Sequence, residues 1–199
     1  MDLKSFYKNK FGIRSGEILE ILADVSEVHT VRKGQKITRR GDQQKNVILL
    51  YRGITRGYIT GPEGEEVTTC IAMESGDVLM TSMDLKEPAT CDLDALEECV
   101  LVELPISILA QLVTTYPEVA VAYNEQIVKW GNFHLTSKTE LCHGNATHRY
   151  RWFCQTYPGL IERVNNRYIA SFLGMTPVTL SRLRHGVATK KREEESVGP

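Results

Sequence analysis

The sequence predicts an α+β protein: a glycine-punctuated, β-rich stretch, then a long helical stretch, then a terminal pair of short helices. Three observations carry that prediction. From about residue 28 to 104, short apolar bursts alternate with glycines at 34, 41, 53, 57, 61, 64 and 76. After Pro105 the apolar spacing changes to threes and fours, the period of a helix. Residues 164–185, VNNRYIASFLGMTPVTLSRLRH, read as two helices joined at Gly174.

Glu17 to Ala23 places Ile18, Leu19, Ile21 and Leu22 on one broad apolar face, which predicts a helix packed on the sheet. The strand candidates follow as Val28 to Val31, Gln35 to Ile37, Val47 to Tyr51, Ile54 to Thr60, Glu65 to Ala72, Ala95-Leu96 and Val100 to Leu104, with Gly61-Pro62-Glu63-Gly64 a loop between two of them. Short strands with regular turn residues indicate a compact antiparallel sandwich or barrel. Ile106, Leu109, Leu112 and Val113 open the helical stretch, and Pro117 either begins a second helix or kinks a continuous one. Beyond it Ala120, Tyr123, Ile127, Trp130, His134, Ser137 and Leu141 alternate spacings of three and four, a heptad seam that wants a partner. Tyr123, Ile127, Trp130 and His134 are the candidate dimerisation residues. The alternative is that this face packs on the chain's own β-domain.

In the terminal pair, Ile169, Phe172 and Leu173 recur at helical spacing, Ala170 permits a close crossing, and Gly174 can end the helix with positive φ. Thr176 can cap a second helix, Pro177 suits its first position, and Leu180 with Leu183 points back to the core. Thr179, Ser181, Arg182 and Arg184 are left facing outward. This is the pattern of a helix-turn-helix, whose second helix enters a DNA major groove.

Charge supports that reading over an ordinary helical hairpin. Residues 146–192 hold nine Lys or Arg (149, 151, 163, 167, 182, 184, 190, 191, 192) against the single acid Glu162, a balance of +8 in a chain that nets −1. A segregated basic lobe is the electrostatic footprint of phosphate contacts. The candidate DNA-binding residues are Arg167, Thr176, Pro177, Val178, Thr179, Ser181, Arg182 and Arg184, and the partner is double-stranded promoter or operator DNA. With 199 residues, 42% of them hydrophobic, the chain can bury real cores, and the charge shift favours two domains. No run approaches the ~18 apolar residues of a membrane span. The start MDLKSFYKNK lacks an apolar signal region, so a cytoplasmic protein without a membrane partner is expected. Five cysteines (70, 91, 99, 142, 154), scattered without Cys-x-x-Cys spacing, fit a reducing compartment and packing roles.

Taken together, KGQKITRRGDQQKNVILLYRGITRGYI, the turn GPEGEE, SGDV, a long helix and IASFLGMTPVTLSRLR, this chain resembles the cyclic-AMP receptor and fumarate–nitrate regulator (Crp/Fnr) family of bacterial transcription factors. Lys33-Gly34 with Gly41-Asp42, Gly53 and Gly76-Asp77 carry the resemblance through the β-rich part. It implies a β-roll sensor domain over 1–116, a dimerising helix over 117–143 and a helix-turn-helix domain over 144–199. It further implies a homodimer that answers a small-molecule effector, with RNA polymerase as a candidate partner.

The chain also departs from the family. Members that bind cyclic AMP carry a glutamate and an arginine for the ribose and the phosphate; here those positions fall at Thr81 and Ala89, and 77–95 contains no arginine, Lys86 being its basic residue. The effector-pocket candidates are Asp77, Met80, Thr81, Ala89 and Thr90, and cyclic AMP is not the expected ligand. No cysteine precedes Cys70, which excludes an N-terminal iron–sulfur site. Cys142, His143, His148 and Cys154 offer zinc-ligand types at a spacing that matches no common motif, and His29 or His134 would be lone haem ligands; no cofactor is expected. Pro177-Val178 stands where many members carry a charged base reader, offering an apolar contact to a thymine methyl instead. The few residues after Arg184 leave little for a β-wing, and Lys190, Lys191 and Arg192 read as a phosphate-contacting tail. A metal-dependent barrel enzyme would need several histidines in the β-rich stretch, which holds only His29. The chain is therefore not expected to be an enzyme. Other readings are a dimeric adaptor without DNA, or a binding protein sensing haem or a small ligand.

Overall fold

The computed structural model describes residues 1–82 and 84–185. They form two helices, α1 (Leu3–Phe11) and α2 (Gly16–Val25), seven strands, β1 (Glu27–Val31), β2 (Lys36–Thr38), β3 (Asn46–Arg52), β4 (Thr55–Thr60), β5 (Glu66–Ala72), β6 (Asp92–Ala95) and β7 (Cys99–Pro105), and then helices only. These are α3 (Ile106–Thr115), α4 (Pro117–His143), α5 (Ala146–Thr156), α6 (Leu160–Arg163), α7 (Asn166–Phe172) and a further helix, α8, over 177–185. The described residues divide into two compact units, one of Met1–Ile59 with Thr69–Gly131, the other of Thr60–Thr68 with Asn132 to His185.

The strands form two antiparallel sheets, ordered β1-β7-β3 and β2-β6-β4-β5. Alternation along a strand sends successive side chains to opposite faces. In β3, Leu49 joins the cluster packed under α1, α2, α3 and α4, and its neighbour Leu50 joins the cluster between the sheets. β7 behaves alike: Val102 and Leu104 face the helices, Cys99 and Leu101 the sandwich interior. Gly53 follows β3 with φ +117°, and a Cβ there would lie 2.8 Å from the Cys99 backbone, so this turn admits no side chain.

Two features differ from the sequence reading. The burst at Ala95-Leu96 is only the end of β6, whose Asp92 and Asp94 hide it from a hydrophobicity pattern. Both aspartates are paired: Lys36 Nζ lies 3.0 Å from Asp92 Oδ1, and Arg56 grips Asp94 through Nε at 3.0 Å and Nη2 at 3.1 Å. Arg56 is only 2% exposed and stacks 4.1 Å from the centre of the Tyr58 ring. The second difference is α1, unforeseen because only Phe6 and Tyr7 of its nine residues are buried; Asp2 caps it by accepting from Ser5 N. Pro117 begins a new helix and does not kink an old one.

The second unit is built on aromatic contacts. Phe153, Tyr157 and Phe172 form a triangle with centroids 5.1 to 5.9 Å apart, and Trp152 stacks on Phe172 at 6.1 Å. Leu160, Ile169, Ala170, Leu173 and Leu180 are fully buried around it.

Breaking the Arg56–Asp94 pair from one side leaves a buried carboxylate without its cation. Arg56→Met should lower stability in urea unfolding by about 3–5 kcal/mol, and the double change Arg56→Met with Asp94→Leu should recover most of it.

Candidate nucleic-acid interface

The geometry of α7, its turn and α8 follows from local hydrogen bonding. Asn165 caps α7 by accepting from Arg167 N at 2.9 Å. At its far end Gly174 takes φ +60°, Gly174 N donates to Ser171 O, and Met175 N reaches back to Ala170 O at 2.9 Å, which closes the helix without a further turn. Thr176 then caps α8 by accepting from Thr179 N at 3.1 Å, with its hydroxyl 2.9 Å from that of Thr179. Leu180 is fully buried between the two helices. Thr176, Pro177, Val178 and Arg182 therefore stand exposed on one side, with Thr179 and Ser181 half-exposed beside them.

The structure separates the predicted basic residues by what they hold. Arg182 is exposed. Arg167 is exposed and lies over the Tyr168 ring at 4.5 Å from its centre. Arg184 instead turns inward, donating to Asn166 Oδ1 at 2.9 Å and lying 3.3 Å from Glu162 Oε1, which ties α8 to α6 and α7. Arg149 donates to the carbonyls of Leu141, Gly144 and Gly174, so it braces the turn against the end of α4. Nothing in the local sequence singled it out. Lys190, Lys191 and Arg192 lie outside the described residues. Ser171 of α7 was also missed: its Oγ accepts from Thr68 N at 2.9 Å and donates to Glu66 O at 2.9 Å.

The predicted effector residues are engaged in local contacts. Asp77 accepts from Met73 N and Glu74 N and so closes a turn, with Lys129 Nζ 3.6 Å away. Thr81 Oγ1 donates to Gln44 Oε1 at 2.8 Å, and Thr90 Oγ1 donates to the Thr81 carbonyl. Ala89 is buried, exchanging backbone hydrogen bonds with Gly41 and Asp42. Met80 alone borders the apolar pocket of this unit. Burial pushes the Cys70 and Cys91 thiols up, to about 12 for Cys91, which disfavours the thiolate a metal would need. Among the described residues no three His, Cys, Asp or Glu side chains converge on a common point as metal ligands would. His148 of the former zinc candidates lies 2.5 Å from Glu140, and His29 lies 3.2 Å from Glu27.

On α4, Tyr123, Ile127, Trp130 and His134 are half-buried within the chain, and Ser137 is buried. Burial lowers the pKa of His134. A neighbouring row at strict spacings of seven, Val121, Val128 and Leu135, is 59%, 53% and 67% exposed. The sequence reading passed over this row. Among the described residues no helix is long and apolar enough to cross a membrane.

Comparison with known proteins decides the fold. Residues 28–116 match the cyclic nucleotide-binding domain family. FixK2 from Bradyrhizobium japonicum superposes with a TM-score of 0.74 at 18% identity, covering 84% of this chain and 86% of that one. A regulator of the Crp/Fnr family from Eubacterium rectale superposes at 0.67 and 16% identity, over 89% of this chain and 85% of its own. The chain shares the fold of these proteins. The chain is also 25% identical to the Electron transport regulator A of Shewanella oneidensis, over 87% of this chain and 73% of that relative. The global regulator CLP of Xanthomonas campestris, described as responsive to c-di-GMP, matches at a TM-score of 0.70 and 17% identity over 89% and 93%.

The two arginines of α8 should part in a thermal melt. Arg184→Ala removes charge-assisted hydrogen bonds within the unit and should cost about 1–2 kcal/mol, while Arg182→Ala should stay within about 0.5 kcal/mol of the parent.

Proposed function

We propose that this Crp/Fnr-type chain is a homodimeric, sequence-specific DNA-binding transcriptional regulator whose sensor domain answers something other than cyclic AMP. The observation that carries the reading is the exposed face of α8: Thr176, Pro177, Val178, Thr179, Ser181 and Arg182 project from a helix fixed by Gly174, inside a strongly basic part of the sequence. A helix N-terminus with small hydroxyl residues and one exposed arginine can enter a major groove, hydrogen-bond base edges and meet phosphates. Arg167 adds a backbone contact from α7. Arg184 is given a positioning role, since two of its guanidinium nitrogens are held inside the unit.

Dimerisation through α4 would give the assembly two such helices, and reading two half-sites about one helical turn of DNA apart is how helix-turn-helix dimers gain affinity. The exposed row Val121, Val128 and Leu135 supports a partner there, because a second helix packed along α4 would bury all three. Tyr123 and Ile127 flank it. The sensor reading rests on charge: with Ala89 and Thr81 at the positions named above, a bound cyclic phosphodiester would lose its cation and its ribose acceptor. DNA and a second copy are the partners this reading requires. The chain is not an enzyme in this reading and works in the cytoplasm.

The decisive test is a gel-shift selection from random duplexes, followed by titration of the winning site at rising salt. Affinity should fall steeply with salt, and Arg182→Ala should weaken the selected site by about 1–3 kcal/mol. No selectable sequence would overturn the reading. Ile127→Asp should convert dimers to monomers in light scattering, whereas Lys129→Asp should leave the dimer intact. Isothermal titration with cyclic AMP should show no saturable binding up to millimolar nucleotide.

A further inference from the structure

We infer that the edge strand β2 and its two flanking turns form a second phosphate-backbone surface, which binds duplex DNA through four basic side chains without reading its sequence. The chain repeats itself at a spacing of seven around β2, with Arg32-Lys33-Gly34-Gln35 before it and Arg39-Arg40-Gly41-Asp42 after it. The two segments fold alike. In each, the fourth residue's N–H donates to the first residue's carbonyl at 3.0 Å. The fourth side chain in turn accepts from the first residue's N–H, at 3.1 Å for Gln35 and 2.9 Å for Asp42. Gly34 and Gly41 take φ +78° and +91°, as the third position of a type II turn requires. Each turn is then tied to a neighbouring segment: Gly34 N donates to Ala95 O at 2.7 Å, and Gly41 N to Ala89 O at 2.8 Å.

This framework holds two adjacent cations out at each end of β2. Arg32, Lys33, Arg39 and Arg40 are all exposed, and none of them has an ion pair among the described residues. Nearby cations are already held: Lys36 lies 3.0 Å from Asp92, Arg52 3.5 Å from Glu98, and Arg56 3.0 Å from Asp94. Residues 32–45 carry six Lys or Arg against the single acid Asp42. β2 is the outer strand of its sheet, so no further strand flanks the row. The extended residues between the turns keep them on the order of 13 Å apart, which one small anion does not bridge. Duplex DNA does, with a charge every ~1.7 Å of its axis, and three of the four cations are arginines, whose planar fork matches a phosphate. An acidic protein would want an apolar anchor at the centre of its contact, and residues 32–45 expose no large hydrophobic side chain. Use of this surface on the DNA that α8 reads rests on the regulator reading. The binding itself does not.

The test measures binding of the full chain to a labelled random-sequence duplex of about 40 base pairs by fluorescence anisotropy, from about 50 to about 200 mM salt. Arg39→Ala with Arg40→Ala should weaken binding at least about tenfold at the low-salt end and make the log–log salt slope shallower by about 2, roughly one for each lost phosphate contact. Arg32→Ala with Lys33→Ala should do the same. Lys8→Ala with Lys10→Ala, an equal loss of exposed charge on α1, should change neither. All of these side chains are exposed, so circular-dichroism melts should match the parent. Slopes equal to the parent's in both turn variants would overturn the inference. So would an equal loss in the α1 variant, which would leave only the general field of the chain. Polyglutamate or phosphatidylserine vesicles bound more tightly than the duplex, and released by the same turn variants, would also overturn it by assigning the edge to an acidic protein or a membrane. A selectable operator with turn variants that bind like the parent removes this inference alone. No selectable operator, with random-duplex binding lost in the turn variants, removes the regulator reading alone.

Discussion

Strand β7 has no face to spare. It is the central strand of its sheet, with β1 on one side and β3 on the other, and both its faces are buried under separate apolar clusters. A strand in this position must be apolar throughout, and CVLVELP nearly is, with Glu103 the exception, held by Asn46. The helical layer, the sandwich interior and the cavity between α4 and β3 all take their positions from it. The pairing with β3 slips between Leu50 and Arg52, beside Gly53, whose missing side chain lets Cys99 pack against the turn.

Much of the fold was legible because burial writes a period into sequence. Six of the seven strands lie close to their apolar bursts, and Gly174, Thr176 and Pro177 perform the turn, cap and first-position roles their chemistry allows. The strand β6 was truncated because its charges are buried as pairs, and pairing partners such as Arg56 and Lys36 lie far away along the chain. The helix α1 escaped for the opposite reason, since most of it faces water. At the candidate site the exposed arginine was legible and the inward one was not. Arg182 and Arg184 are alike in sequence, and only the position of Asn166 and Glu162 sets them apart.

This sorting changes the electrostatic account of the basic lobe. Two arginines counted toward its charge, Arg149 and Arg184, spend their donors on carbonyls and side chains inside the unit. Their charge still adds to the field that attracts a polyanion, because Coulomb attraction needs no contact. The N–H groups engaged in those bonds cannot also serve it. Long-range attraction and base reading therefore fall to overlapping but unequal sets of residues.

The serine on α7 has a consequence of another kind. Strand β5 is an edge of its sheet, and an edge offers unpaired N–H and C=O groups to any other chain that arrives extended. At Thr68 and Glu66 one hydroxyl answers both groups, accepting from the amide and donating to the carbonyl, as a neighbouring strand would. Ser171 thus occupies, with a single side chain, two backbone groups that another extended chain would need in order to pair there.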